Sequence, residues 1–127
     1  VQRAASGGEL SRIMLAVKTI TARAIELPTL IFDEVDTGIS GEAAKQVGTL
    51  MKELGACHQI ICITHQPQVA AKAHQHYFVY KQEDEQQRIS TSIRRLDESE
   101  RVTAIAQMIG GNQLTDAALN NAKELMR

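Results

Sequence analysis

The sequence contains no tryptophan and only two tyrosines and two phenylalanines in 127 residues. A core must therefore be built from Ile, Leu, Val, Ala and Met rather than from large rings. No apolar run approaches the roughly 20 residues that a membrane-spanning helix requires. Neither charge sign is in excess: 14 Lys and Arg stand against 15 Asp and Glu, a net charge of −1. Composition thus gives no sign of a nucleic-acid-binding surface, and any such role must come from a local patch or from sequence elsewhere. The two cysteines, Cys57 and Cys62, have neither metal-type nor redox-type spacing, and they read as buried-type thiols suited to a reducing cytoplasm. No signal peptide is visible, and the chain opens on Val1 rather than Met, so it is expected to be a piece of a longer protein. Its length suffices for one domain or a large part of one.

What is present alternates between helix and strand. Apolar residues at Leu10, Ile13, Met14, Val17, Ile20 and Ala24 have helical spacing and predict a helix from Glu9 to about Ala24. Pro28 leads into a strand over Thr29–Phe32, and the glycines of Thr37-Gly-Ile-Ser-Gly41 predict a loop. A second helix, about Glu42–Leu54, stops at Gly55. Gln59–Thr64 is another short apolar strand, followed by Pro67 and a short helix over about Gln68–Ala73. His76–Lys81 and Arg88–Leu96 alternate in the β manner around a polar loop, which predicts a hairpin or neighbouring edge strands. Helices over about Glu100–Ile109 and Asp116–Met126 finish the chain, with Thr115 as the N-cap of the last. Strands alternating with helices in the first half predict an α/β domain.

Three short strings carry chemistry. Leu30, Ile31 and Phe32 form an unbroken apolar run, which predicts a strand buried on both faces, and it ends in Asp33 and Glu34. In nucleotide hydrolases one acid of such a pair holds Mg²⁺ through its water shell and the other orients the attacking water. Taken alone, the pair fits a solvated acidic turn equally well. Ser6-Gly-Gly-Glu9 reads locally as a capping box that opens the first helix. Its two glycines also let an anion approach the free N–H groups of a helix N-terminus. His65 follows the second strand at the same edge as Asp33 and Glu34, and could donate a hydrogen bond to a phosphate oxygen or a water. His58, His74 and His76 are read as loop histidines without a task, and the spacing gives a zinc site little support.

In this order, the strings resemble the C-terminal half of an ABC-type ATPase head. Ser6-Gly7-Gly8-Glu9 is similar to the signature motif, Leu30–Glu34 to the Walker B strand and His65 to the switch histidine. Within the superfamily, Ala5–Arg12, Phe32–Gly41 and Ile63–Ala70 are most similar to a bacterial DNA-repair family related to the SMC proteins, and the likeness covers nearly the whole chain. It implies one unit over residues 1–127: the C-terminal lobe of a P-loop NTPase head, with a mostly parallel sheet, flanking helices, a β-hairpin and two C-terminal helices. It further implies ATP and Mg²⁺ as ligands. Asp33 would support the metal through water, Glu34 would act as general base, and His65 would sense the γ-phosphate. Ser6, Gly7, Gly8 and Glu9 would meet ATP held by a second head of a homodimer. Asp36, Thr37, Gly38 and Ser40 would form the loop that links the two sites. Many ABC proteins carry Asp where this chain has Ser40, so the resemblance carries no role of that carboxylate over to this chain.

The chain has no Gly-x-x-x-x-Gly-Lys-Ser/Thr, the loop that cradles phosphates. The resemblance therefore implies half a catalytic unit, inactive alone, from a cytoplasmic, nucleoid-associated protein that meets DNA only as a whole. A second reading keeps the ATPase but makes the chain part of another SMC or Rad50-like head or of a transporter subunit. A transporter subunit would usually carry Gln in place of Glu9 and Pro-Thr after Asp-Glu, and Glu9 and Val35-Asp36 argue against that. A non-catalytic interaction module is the other alternative, disfavoured by the intact Ser6, Asp33, Glu34 and His65. Arg88, Arg94 and Arg95 read as solvated strand-face charges rather than DNA contacts. Exposure of Ile60, Ile61 and Ile63 at an open strand edge is expected to make the isolated chain self-associate, unless His76–Lys81 pairs with that edge.

Overall fold

The computed structural model describes the backbone of residues 7–127, and side chains from Arg12 onward. The first helix, α1 (Gly7–Ile25), starts two residues before the predicted Glu9. It ends where Glu26 takes a left-handed backbone conformation, φ 50°, and the chain turns through Leu27 and Pro28. Strand β1 (Thr29–Asp33) and strand β2 (Gln59–Ile63) then pair in parallel, with Leu30 opposite Ile60 and Phe32 opposite Cys62. Helix α2 (Gly41–Leu54) connects them, as a parallel pair requires.

Leu30 and Phe32 of β1 pack into one core with Leu15 and Ala22 of α1, with Ala44, Val47, Met51 and Leu54 of α2, and with Val69. Lys18 fastens α1 to the strand. Its Nζ donates to the Ile31 carbonyl at 2.8 Å and stands 5.3 Å from the Phe32 ring centroid.

The expectation that β1 is buried on both faces is corrected. Leu30 and Phe32 are 5% and 0% exposed, but Ile31 between them is 55% exposed, and Ile61 and Ile63 are open on the same side. Among the described residues, α1 and α2 contribute to the core on one side of the pair, and nothing covers the other. The same holds for α1, whose Ile13, Met14, Val17 and Ile20 are all exposed. Cys57 is exposed too, contrary to its reading as a buried thiol, while Cys62 is half-buried.

Beyond β2, the short helix α3 (Pro67–Ala70) lies close against α2. Gly48 makes this approach possible: a Cβ there would stand 2.7 Å from the Gln68 carbonyl oxygen and 3.2 Å from the Val69 Cα. Alanine would gain about 1 kcal/mol of helix propensity, but overpacking against backbone costs about 1–3 kcal/mol. Gly48→Ala is therefore expected to lower stability by up to about 2 kcal/mol, read as a lower urea midpoint with an unchanged slope. A rise in the midpoint would show that the two helices part freely.

Strands β3 (Tyr77–Glu83) and β4 (Ile89–Arg95) form an antiparallel hairpin with Val79 opposite Ile93. Its turn is held by Asp84, whose Oδ1 accepts from the backbone N–H of Gln86 at 2.9 Å and of Arg88 at 2.8 Å. The hairpin remains a separate sheet and does not close onto β2. The arginines read as solvated charges are indeed exposed, with Arg88 paired to Asp84 and Arg94 to Glu100.

Helix α4 (Glu98–Gly110) begins two residues before the predicted Glu100, because Asp97 and Glu100 form a capping box. Helix α5 (Asp116–Met126) has the predicted bounds, and Thr115 caps it through the Ala118 N–H at 3.1 Å. Alanines 71, 106, 118 and 122 with Ile105 make a second, closely packed core. Buried Arg101 ties α4 to the end of the α3 segment through the Ala73 carbonyl, at 2.7 Å. No helix among the described residues is long and apolar enough to cross a membrane.

Candidate functional site

The carboxyl edge of the parallel pair gathers the polar residues. Asp33 is the last residue of β1 and lies exposed on the open side of the sheet, in line with Ile31. Glu34 extends the ladder by one bond, its N–H donating to the Ile63 carbonyl at 2.8 Å. It then leaves the strand in the left-handed region, φ 50°, which costs a non-glycine residue on the order of 1 kcal/mol. The Glu34 carbonyl accepts from both the N–H (3.2 Å) and the hydroxyl (2.9 Å) of Thr37. The base of the turn is thus fixed while the Glu34 carboxylate stays exposed. Gly38, at φ 75°, continues the turn in a conformation suited to glycine. Ser40 takes the N-cap position of α2, but its side chain makes no capping bond and is exposed.

Asp36 behaves differently from its neighbours. It is 0% exposed. Its Oδ2 accepts from the Thr64 hydroxyl, and that hydroxyl oxygen in turn accepts from the Gln66 N–H at 2.9 Å. The other carboxylate oxygen, Oδ1, is buried without a partner among the described residues. Beside it, the Cys62 thiol is pushed up to about 12, first by burial and then by the Asp36 charge, so Cys62 is no nucleophile at neutral pH. His65 sits between Thr64 and Gln66 and is exposed.

Asp33, Glu34 and His65 therefore come together on one edge, as the sequence predicts. Gly7 opens α1, and Gly8 and Glu9 lie in its first turn; their side chains, and the whole of Ser6, lie outside the described residues. Sequence reasoning did not find Thr64 as a partner of Asp36. The available signal was a hydroxyl residue directly after an apolar strand. The remaining histidines sit elsewhere: the His58 Nδ1–H donates to the Leu27 carbonyl at 2.5 Å, a purely structural bond. Burial and then the Arg101 charge lower the pKa of His76.

No group of three or more His, Cys, Asp or Glu among the described residues is placed to hold a metal directly. One exposed carboxylate at a strand end does suit Mg²⁺, which keeps most of its water and takes further oxygens from phosphate.

No protein-family model matches the sequence. The fold is that of the SMC ATPases. A structure solved in work on ATP-driven dimerization and DNA-stimulated activation of SMC ATPases superposes with a TM-score of 0.64 at 24% identity, over 86% of this chain and 64% of that one. In sequence the likeness is to RecN. The DNA repair protein RecN of Vibrio cholerae is 47% identical over 126 residues, that of Haemophilus influenzae 46% over 122, and that of Rickettsia prowazekii 48% over 126. These matches cover 99%, 96% and 99% of this chain but only 23%, 22% and 23% of the relatives. The chain is thus homologous, over nearly its whole length, to one segment of RecN, less than a quarter of the protein.

Proposed function

We propose that the chain is the C-terminal half of the ATP-binding and ATP-hydrolysing head of a RecN-like protein, acting in DNA double-strand break repair and recombination. The observation that carries this reading is the meeting of Asp33, Glu34 and His65 on one sheet edge, in a chain about half identical to RecN. ATP is the substrate, and Mg²⁺, when bound, offsets the charge that builds on the phosphates. Asp33 would hold the metal by accepting hydrogen bonds from its waters. Glu34 would take the proton of the attacking water, with its backbone already fixed by Ile63 and Thr37. His65 would donate a hydrogen bond to the γ-phosphate. Ser6, Gly7, Gly8 and Glu9 would present the N-terminus of α1 to ATP held by a second head of a homodimer, where free N–H groups favour an anion. The exposed Thr37, Gly38 and Ser40 would meet that partner across the interface. Contact with DNA would belong to the whole protein, working in the cytoplasm at the nucleoid.

A phosphate cradle is absent from this sequence. Phosphoryl transfer depends mainly on positioning and electrostatics, so the 127-residue chain alone is expected to show no Mg²⁺-dependent ATPase. The exposed Ile31, Ile61 and Ile63 support self-association of the isolated chain. Steady-state phosphate release from the pure chain tests the first point, and sedimentation of the same sample tests the second. Turnover that vanishes with Glu34→Gln in the chain alone would overturn the assignment of half a site.

A further inference from the structure

We infer that Asp36 is a positioning residue that, through the Thr64 hydroxyl, sets His65 against Glu34. This rests on the ATPase reading of the same edge.

A carboxylate taken wholly out of water is costly unless its oxygens are hydrogen-bonded. Asp36 is fully buried, with one oxygen on Thr64 and the other unpartnered among the described residues. An exposed Asp in a turn would avoid that cost, and Thr37 and Gly38 next to it are exposed. The expense calls for a function, and the connectivity supplies one. The loop after β1 and the loop after β2 are joined twice. One tie is backbone, from the Glu34 N–H to the Ile63 carbonyl; the other is the chain Gln66 N–H to Thr64 Oγ1 to Asp36 Oδ2. His65 lies between the two tied points, Ile63 and Gln66. Its backbone position is therefore referred to the Glu34 turn on both sides. Removing the Asp36–Thr64 bond would leave His65 tied to that turn on one side only.

Two measurements test this. In the 127-residue chain, the Gln66 amide is expected to exchange with solvent about tenfold faster or more in Asp36→Ala and in Thr64→Val, while amides in the middle of α4 keep their protection. Unchanged Gln66 exchange in both variants would overturn the coupling, whatever the chain does with ATP. In the longer ATP-hydrolysing protein, each substitution should lower kcat per folded molecule by about tenfold with KM for ATP nearly unchanged. The double variant should be no worse than Thr64→Val alone, because that substitution already removes both the Asp36–Thr64 bond and the Gln66–Thr64 bond. Thr64→Ser, which restores the hydroxyl, should recover most of the rate. Multiplying losses in the double variant, or a loss that follows only the unfolded fraction, would reduce Asp36 to a structural residue. Wild-type protein without a Glu34-dependent ATPase would instead sink the ATPase reading, leaving the exchange result to decide the coupling.

Discussion

Glu34→Gln in the longer protein is expected to lower ATP turnover by about 10²-fold or more while leaving ATP binding intact. The reason lies in the placement of the residue. Its backbone is held at both ends of the peptide, by Ile63 and by Thr37, and its side chain is exposed. Gln has almost the same shape and hydrogen-bonding reach, and it enters the left-handed region at similar cost, so stability should change by less than about 0.5 kcal/mol. On the proposed role of Glu34 as general base, only the proton acceptor is lost. Heads that bind ATP but cannot hydrolyse it should then accumulate as closed pairs, measurable by sedimentation in the presence of ATP. Asp33→Asn should act differently, weakening the Mg²⁺ dependence, because Asp33 stands on the strand itself and on its open side. If Asp33→Asn gives tight binding without turnover and Glu34→Gln does not, the two carboxylates have exchanged roles.

The elements of this fold were legible because each carries its own periodicity and punctuation. Thr115, Pro67 and Gly55 mark helix ends where the structure has them. The edge that gathers Asp33, Glu34 and His65 was legible for a related reason: two apolar runs that stop at polar residues place those residues at strand ends. What could not be read was which faces would be covered. An apolar run says that a surface avoids water, not which part of a protein covers it, so β1 looked buried on both sides although Ile31 is open. The exposed stripe of α1 has the same origin. The chain matches less than a quarter of each of these relatives, and periodicity within it does not say which surface such a face would meet. Burial of Asp36 was hidden for another reason. Its partner Thr64 lies 28 residues away, and a hydrogen bond between two loops leaves no periodic trace.

Phe32→Ala is expected to have the largest effect on stability, and its neighbour supplies the control. Phe32 is wholly buried, between Asp33 at the site and the α1–α2 core. Truncation to alanine removes the ring from water-free surroundings and leaves a cavity, at about 3–5 kcal/mol. Loss of the Lys18 contact over the ring adds roughly 0.5 kcal/mol. For a chain of this size the melting temperature should fall by about 10–20 °C, with Phe32→Leu costing closer to 1.5 kcal/mol because most of the apolar volume stays. Ile31→Ala, one residue away on the open side, should change stability by only about 0.5 kcal/mol at low protein concentration, where that face is not covered by a second copy. Calorimetry and urea titration of the three variants decide the matter at low and high protein concentration. If Ile31→Ala is as damaging as Phe32→Ala, but only at high concentration, a second copy covers the open face. If it is damaging at every concentration, the sheet is closed within one chain, and the one-sided packing described for β1 is wrong.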